Sequence, residues 1–212
     1  MLLIGNWSDP IQPEEAGGVQ VLHDFISRKG CVCEFCGTQT RLSAKEPLGH
    51  FHVCRLDRQL PNEPANWVTL CCICSDLNSL DKLKGKGSFI EAPWISQGQL
   101  TNLLRLAYAV SVRPEAEWGT VGSSASAFLN AIDSTPEAWA SIKWAGQVES
   151  LQFVMDRMVH PFSRGAYANS LRFRFDLDPY EDAIRYWAVA LEKLAMAAQS
   201  TDEPAAESPD TI

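Results

Sequence analysis

The pair of stretches Cys33-Glu34-Phe35-Cys36-Gly37 and Cys71-Cys72-Ile73-Cys74 decides how this 212-residue chain is read. In each, two cysteines are separated by two residues. That gap lets both thiolates of a tight turn converge on one ion, and two such turns supply the four sulfurs of a closed, tetrahedral zinc site. Gly37 stands where a knuckle needs a positive φ. Buried free thiols packed as small hydrophobes would account for a single cysteine, but not for two matched pairs. The expectation is therefore one structural Zn²⁺ held by Cys33, Cys36, Cys71 and Cys74. Cys31, Cys54 and Cys72 are expected to lie outside the ligand set.

Working outward, the cysteine total is seven, an odd number that fits a reducing cytosol better than a secreted disulfide framework. Met1-Leu2-Leu3-Ile4 runs directly into Gly5-Asn6-Trp7, with no basic start and no apolar core of signal-peptide length. The longest apolar run, residues 100–112, is interrupted by Arg105, so a soluble, cytoplasmic protein is expected. A net charge of −8 and a pI near 5.0 provide no general attraction to a phosphate backbone. The alternating Lys82, Lys84 and Lys86 read as a solvated loop rather than a nucleic-acid face.

Hydrophobic residues make up 46% of the chain, enough for a substantial core, and their spacing divides it. Residues 19–29 have helical spacing at Val19, Leu22, Phe25 and Ile26 and stop at Gly30. A β-hairpin is expected within residues 38–56, a strand at 67–70 entering the second knuckle, a helix over 76–83, and a break over 85–93. Beyond this the chain lacks cysteine and becomes helical. Leu100, Leu103, Leu104 and Ala107 mark a helix over 97–112, Ser123 caps another through Ile132, and two more are expected after Thr135 and over 148–159. Leu171-Arg172-Phe173-Arg174-Phe175 alternates as a short strand. A final helix is capped by Asp178, with Tyr180, Ile184, Trp187, Leu191 and Leu194 as its core stripe. The tail 200–212 has almost nothing to bury. The fold class is thus α+β: a zinc-knuckle β-hairpin module over residues 1–90, an Ala/Trp-rich helical half over 91–199, and a disordered acidic tail.

Between the knuckles, Pro47-Leu48-Gly49-His50-Phe51-His52-Val53 and then Asn66-Trp67-Val68-Thr69-Leu70-Cys71 have the layout of an HNH nuclease, whose ββα-metal core is often pinned by two Cys-x-x-C knuckles. In that family an Asp-His or His-His pair supplies a metal ligand and a general base, a middle Asn orients the loop, and a late His completes the catalytic metal site. Counting back from Asn66 puts His52 at the base position. The ligand position before it is Phe51, and Ser75-Asp76-Leu77-Asn78-Ser79 contains no late His. A slipped register with His50 as ligand would restore part of the site. Without a cation to polarise phosphate, one His contributes little, so no nuclease activity is expected and an HNH endonuclease using His52 and Asn66 is the alternative.

Taken over both halves, the chain resembles the IcmJ (DotN) component of Dot/Icm type IVB secretion systems. The resemblance rests on Cys33-Glu34-Phe35-Cys36-Gly37 with Thr40-Arg41-Leu42, on Asn66-Trp67-Val68-Thr69-Leu70-Cys71-Cys72-Ile73-Cys74, on Ala92-Pro93-Trp94-Ile95-Ser96-Gln97-Gly98-Gln99-Leu100, and on Ile184-Arg185-Tyr186-Trp187-Ala188. It implies a zinc-bearing, HNH-like fold without nuclease activity. Such a subunit works in the cytoplasm, held at the inner membrane only through its partners. Those partners are a coupling ATPase, whose C-terminal extension it binds, and other coupling-complex subunits; no direct nucleic-acid contact is implied.

Overall fold

A computed structural model describes residues 7–78, 80–114, 118–135 and 170–201. Two short helices, α1 (Pro13–Ala16) and α2 (Val19–Arg28), lead into the first knuckle. Strand β1 (Phe51–Arg55) pairs antiparallel with β2 (Trp67–Cys71) in the register Phe51 to Cys71 through Arg55 to Trp67. Helix α3 (Cys72–Asp76) starts where β2 ends, followed by α4 (Leu80–Leu83) and strand β3 (Gly87–Glu91). Then come α5 (Gln97–Ser111), α6 (Thr120–Asp133), β4 (Leu171–Phe175) and α7 (Glu181–Thr201). β4 pairs antiparallel with β3, Gly87 opposite Phe175 and Glu91 opposite Leu171. The architecture is mixed, with helices around two small antiparallel sheets.

The β1–β2 sheet carries the first core. β2 is buried along its whole length because it is covered on both sides. On one side lies β1; on the other the Glu34 N–H donates to the Thr69 carbonyl (2.9 Å), and the Thr69 N–H donates to Glu34 Oε1 (2.9 Å). The outer edge of β1 is occupied by the N-terminal segment, where Ser8 N donates to Arg55 O and Ile11 N to Val53 O, both at 2.8 Å. With these edges covered, neither strand of the β1–β2 sheet is open to pairing with another chain. α2 lays Leu22, Phe25 and Ile26 on this core, with Phe25 edge-on to Trp67 at 5.3 Å; Val19, expected on the same face, is exposed.

The β3–β4 sheet packs on α5. Phe89 and Phe173 meet edge to face at 5.3 Å, and the alternation along β4 places Leu171, Phe173 and Phe175 inward with Arg172 and Arg174 half-buried. Gln97 acts as an extra strand residue against β4, its Oε1 accepting from Phe173 N (2.7 Å) and its Nε2 donating to Phe173 O (2.9 Å). α5 is closed at its start by Ser96 and Gln99, whose side chains cap each other's backbone. Leu100, Leu104 and Ala107 are buried as expected, whereas Leu103 faces outward.

Several expectations are corrected. The hairpin is not local to residues 38–56: the one strand there is Phe51–Arg55, whose partner is β2, while Gln39 makes a single antiparallel bridge back to Val32. The helix over 76–83 is broken at Leu77 and Asn78, where Asn78 Nδ2 turns away to donate to Ser8 O (3.0 Å). The break over 85–93 contains β3, which the flanking Gly and Lys residues hide. α6 begins at Thr120, before Ser123, with Gly119 at its cap. Asp178 caps nothing; it opens a 3-10 turn, Asp178–Tyr180, that precedes α7. Of the α7 stripe, Tyr180, Ile184 and Trp187 are buried and Leu191 is partly so, while the Leu194 side chain lies outside the description. The helices expected after Thr135 and over 148–159, and tail residues 202–212, lie outside the described residues. Residue 90 lies within β3.

Candidate metal centre

The first knuckle is a hairpin turn built by its own backbone. Cys33 N donates to Thr38 O (2.8 Å), Gly37 N to Cys33 O (2.9 Å), and Thr40 N to Cys31 O (2.9 Å). Gly37 closes it with φ of 76°, the left-handed conformation that glycine adopts without strain. In the second knuckle, Cys71 ends β2 and Cys74 lies one turn into α3; the Cys74 N–H donates to Cys71 Sγ at 3.4 Å. Two elements of different kinds thus aim their sulfurs at one point.

Cys33, Cys36, Cys71 and Cys74 are buried, and their Sγ atoms all lie within 4.8 Å of one another. Around one ion with metal–sulfur bonds of about 2.3 Å, tetrahedral sulfurs stand ~3.8 Å apart. The Cys36 and Cys71 sulfurs are 3.8 Å apart, so the donor set fits a divalent, thiophilic ion. The hydroxyl of Thr38, 3.0 Å from Cys36 Sγ, adds a second polar contact to the sulfurs. Contacts from Cys33, and then from Cys71 and Cys74, pull the Cys36 thiol far down, while burial drives Cys71 and Cys74 up. The four thiols are thus electrostatically linked, and a bound cation would let all four sulfurs ionise. The remaining cysteines stay outside: Cys31 and Cys72 are half-buried, and burial pushes the Cys54 thiol on β1 up to about 12.

His50 and His52 form no second centre among the described residues. Among the described residues, the four cysteines are the set that gathers for a metal, and neither His50 nor His52 joins three possible ligands. His52 Nδ1 lies 2.6 Å from Ser75 Oγ, whose hydroxyl is also 3.0 Å from Cys72 O. His50 packs edge-on against Tyr186, with ring centroids 5.2 Å apart. Asn66 fastens a loop: its Oδ1 accepts from Asp57 N (3.0 Å), and its Nδ2 donates to Asp57 O (2.8 Å) and Pro61 O (3.1 Å). The three lysines read as a solvated run are engaged in ion pairs, Lys82 with Asp9, Lys84 with Asp81 and Lys86 with Asp76.

Sequence reasoning passed over Glu34, which ties the knuckle to β2, and Arg105, a 6%-exposed cation on α5. Arg105 left a trace as the one charge inside an apolar helical run. No family model matches this chain, and no curated protein matches it significantly.

Proposed function

We propose that Cys33, Cys36, Cys71 and Cys74 hold one structural zinc ion, and that the protein is a non-catalytic adaptor subunit of a type IVB secretion coupling complex. The observation that carries the metal reading is the buried gathering of four sulfurs at tetrahedral spacing. A closed set of four protein ligands leaves no open position for substrate, which favours a structural role over a catalytic one. The adaptor role rests on the resemblance to the IcmJ (DotN) family, with the acidic charge in keeping. Its binding partner would be the C-terminal extension of the coupling ATPase. Trp94 is the anchor we assign, since it is 67% exposed, whereas Trp187 is core at 1%. Co-expression with that extension should give a complex that survives gel filtration, weakened by Trp94→Ala; separate elution at micromolar concentration would remove the assignment.

A second reading is favoured by one specific arrangement. The β1–β2 hairpin runs straight into α3, the Asn66 side chain fastens the intervening loop, and His52 is held through Nδ1, leaving Nε2 as the free nitrogen. That order is what an HNH-like endonuclease would use. Incubation with supercoiled and linear DNA in Mg²⁺, Mn²⁺ or Ni²⁺ should give no cleavage on the adaptor reading. Cleavage that disappears in His52→Ala would establish the nuclease instead.

A further inference from the structure

We infer that Arg105 is the counter-charge of the four-cysteine metal centre, holding its net negative charge inside the protein. The inference rests on the zinc reading above and concerns a residue outside the ligand set. Arg105 lies on α5, which is pressed against the first knuckle: a Cβ at Gly98, two turns earlier, would stand 2.7 Å from the Phe35 carbonyl oxygen between the ligand cysteines. Arg105 shares the wall of a cavity of about 220 Å³ with Gly37 and Gln39, which follow closely on Cys36. One of its nitrogens, Nη2, donates to Asn102 Oδ1 at 2.8 Å, and Nε is buried with no acceptor.

Among the described residues no carboxylate pairs with it, although a buried cation without an anion is strongly disfavoured. Burial opposes its charge, and the groups that support it are Cys36, Cys71 and Cys33. Four neutral thiols carry no charge to support it with. Four thiolates around a divalent ion carry two net negative charges, which meet the need of a nearby guanidinium and are stabilised by it in return.

The test compares zinc affinity by chelator competition in the full-length wild type, Arg105→Lys, Arg105→Met and Arg105→Gln, with the cobalt-substituted absorption spectrum reporting the four-sulfur geometry. Arg105→Lys should bind within about threefold of wild type. The two neutral variants should lose tenfold or more while keeping the four-thiolate spectrum. If the neutral variants bind as tightly as wild type, or if Lys loses as much as Met and Gln, the counter-charge role is overturned and Arg105 is a packing residue. Should the neutral variants fail to fold with zinc present, a folded Lys variant of wild-type affinity supports the role, and a Lys variant that also fails refutes it. Absence of zinc binding by wild type would instead sink the metal reading itself.

Discussion

His52 is held by a neighbour: its Nδ1 lies 2.6 Å from the Ser75 hydroxyl oxygen, which is itself 3.0 Å from the Cys72 carbonyl oxygen. Burial holds the His52 pKa below its usual value. In the unfolded chain a His protonates near pH 6.5, so below that pH the unfolded state binds more protons and stability falls as pH falls towards the folded-state value. Zinc-saturated protein should therefore need less urea to unfold as pH is lowered from about 6.5, and His52→Asn should flatten the decline. An identical pH slope in the variant would count against it. At the ligands, Cys36→Ser should abolish stoichiometric metal and unfold the β1–β2 region, read by elemental analysis and circular dichroism. The four clustered cysteines were legible because a two-residue gap is a local signal. Arg105 was not, because the groups that support its buried charge, Cys36, Cys71 and Cys33, lie far back in the chain and come near it only in a fold no spacing reveals.

Among the elements, the strands show where local pattern fails. Phe51–Arg55 was expected to find its partner nearby, but it reaches across the 56–66 loop to β2, and β3 pairs with a strand some 80 residues further on. Alternation in β4 was readable since its Phe and Arg residues separate two faces; Phe89 and Ile90 in β3 are both buried, and so short a run beside glycines carries no period. Helices α2, α5 and α7 were found because their stripes and stops are local. Gly87 is the weak point of the β3–β4 pair: its φ is 151°, and an added Cβ would stand 2.1 Å from the Arg174 carbonyl oxygen. Gly87→Ala should cost about 2 kcal/mol or more, since the clash is with backbone that cannot turn aside. Denaturant unfolding measures this. A change below about 0.5 kcal/mol would mean the strand end frays without consequence.

At the scale of the molecule, the C-terminal helix is what joins the late chain to the early one. Trp187 donates from its indole nitrogen to Gly49 O (3.1 Å) and lies edge-on to Phe51 at 6.1 Å, while the Tyr186 hydroxyl donates to Arg41 O (2.7 Å). Trp187→Ala should cost about 3–5 kcal/mol, with zinc still bound, as a lowered melting temperature without loss of metal would show. Loss of both together would mean the knuckles cannot stand without α7. No helix among the described residues is long and apolar enough to cross a membrane. The docking of Trp187 also sets a clock. All four sulfurs have been synthesised by residue 74, but the side chain that clamps the neighbouring loop emerges about 110 residues later. At translation rates of about 5–20 residues per second, the nascent chain spends roughly 6–23 seconds with its thiols made and that clamp still missing. On the zinc reading, ion capture during that interval competes with oxidation of the free thiols, so chains made without zinc should carry more cross-linked cysteines than chains made with it.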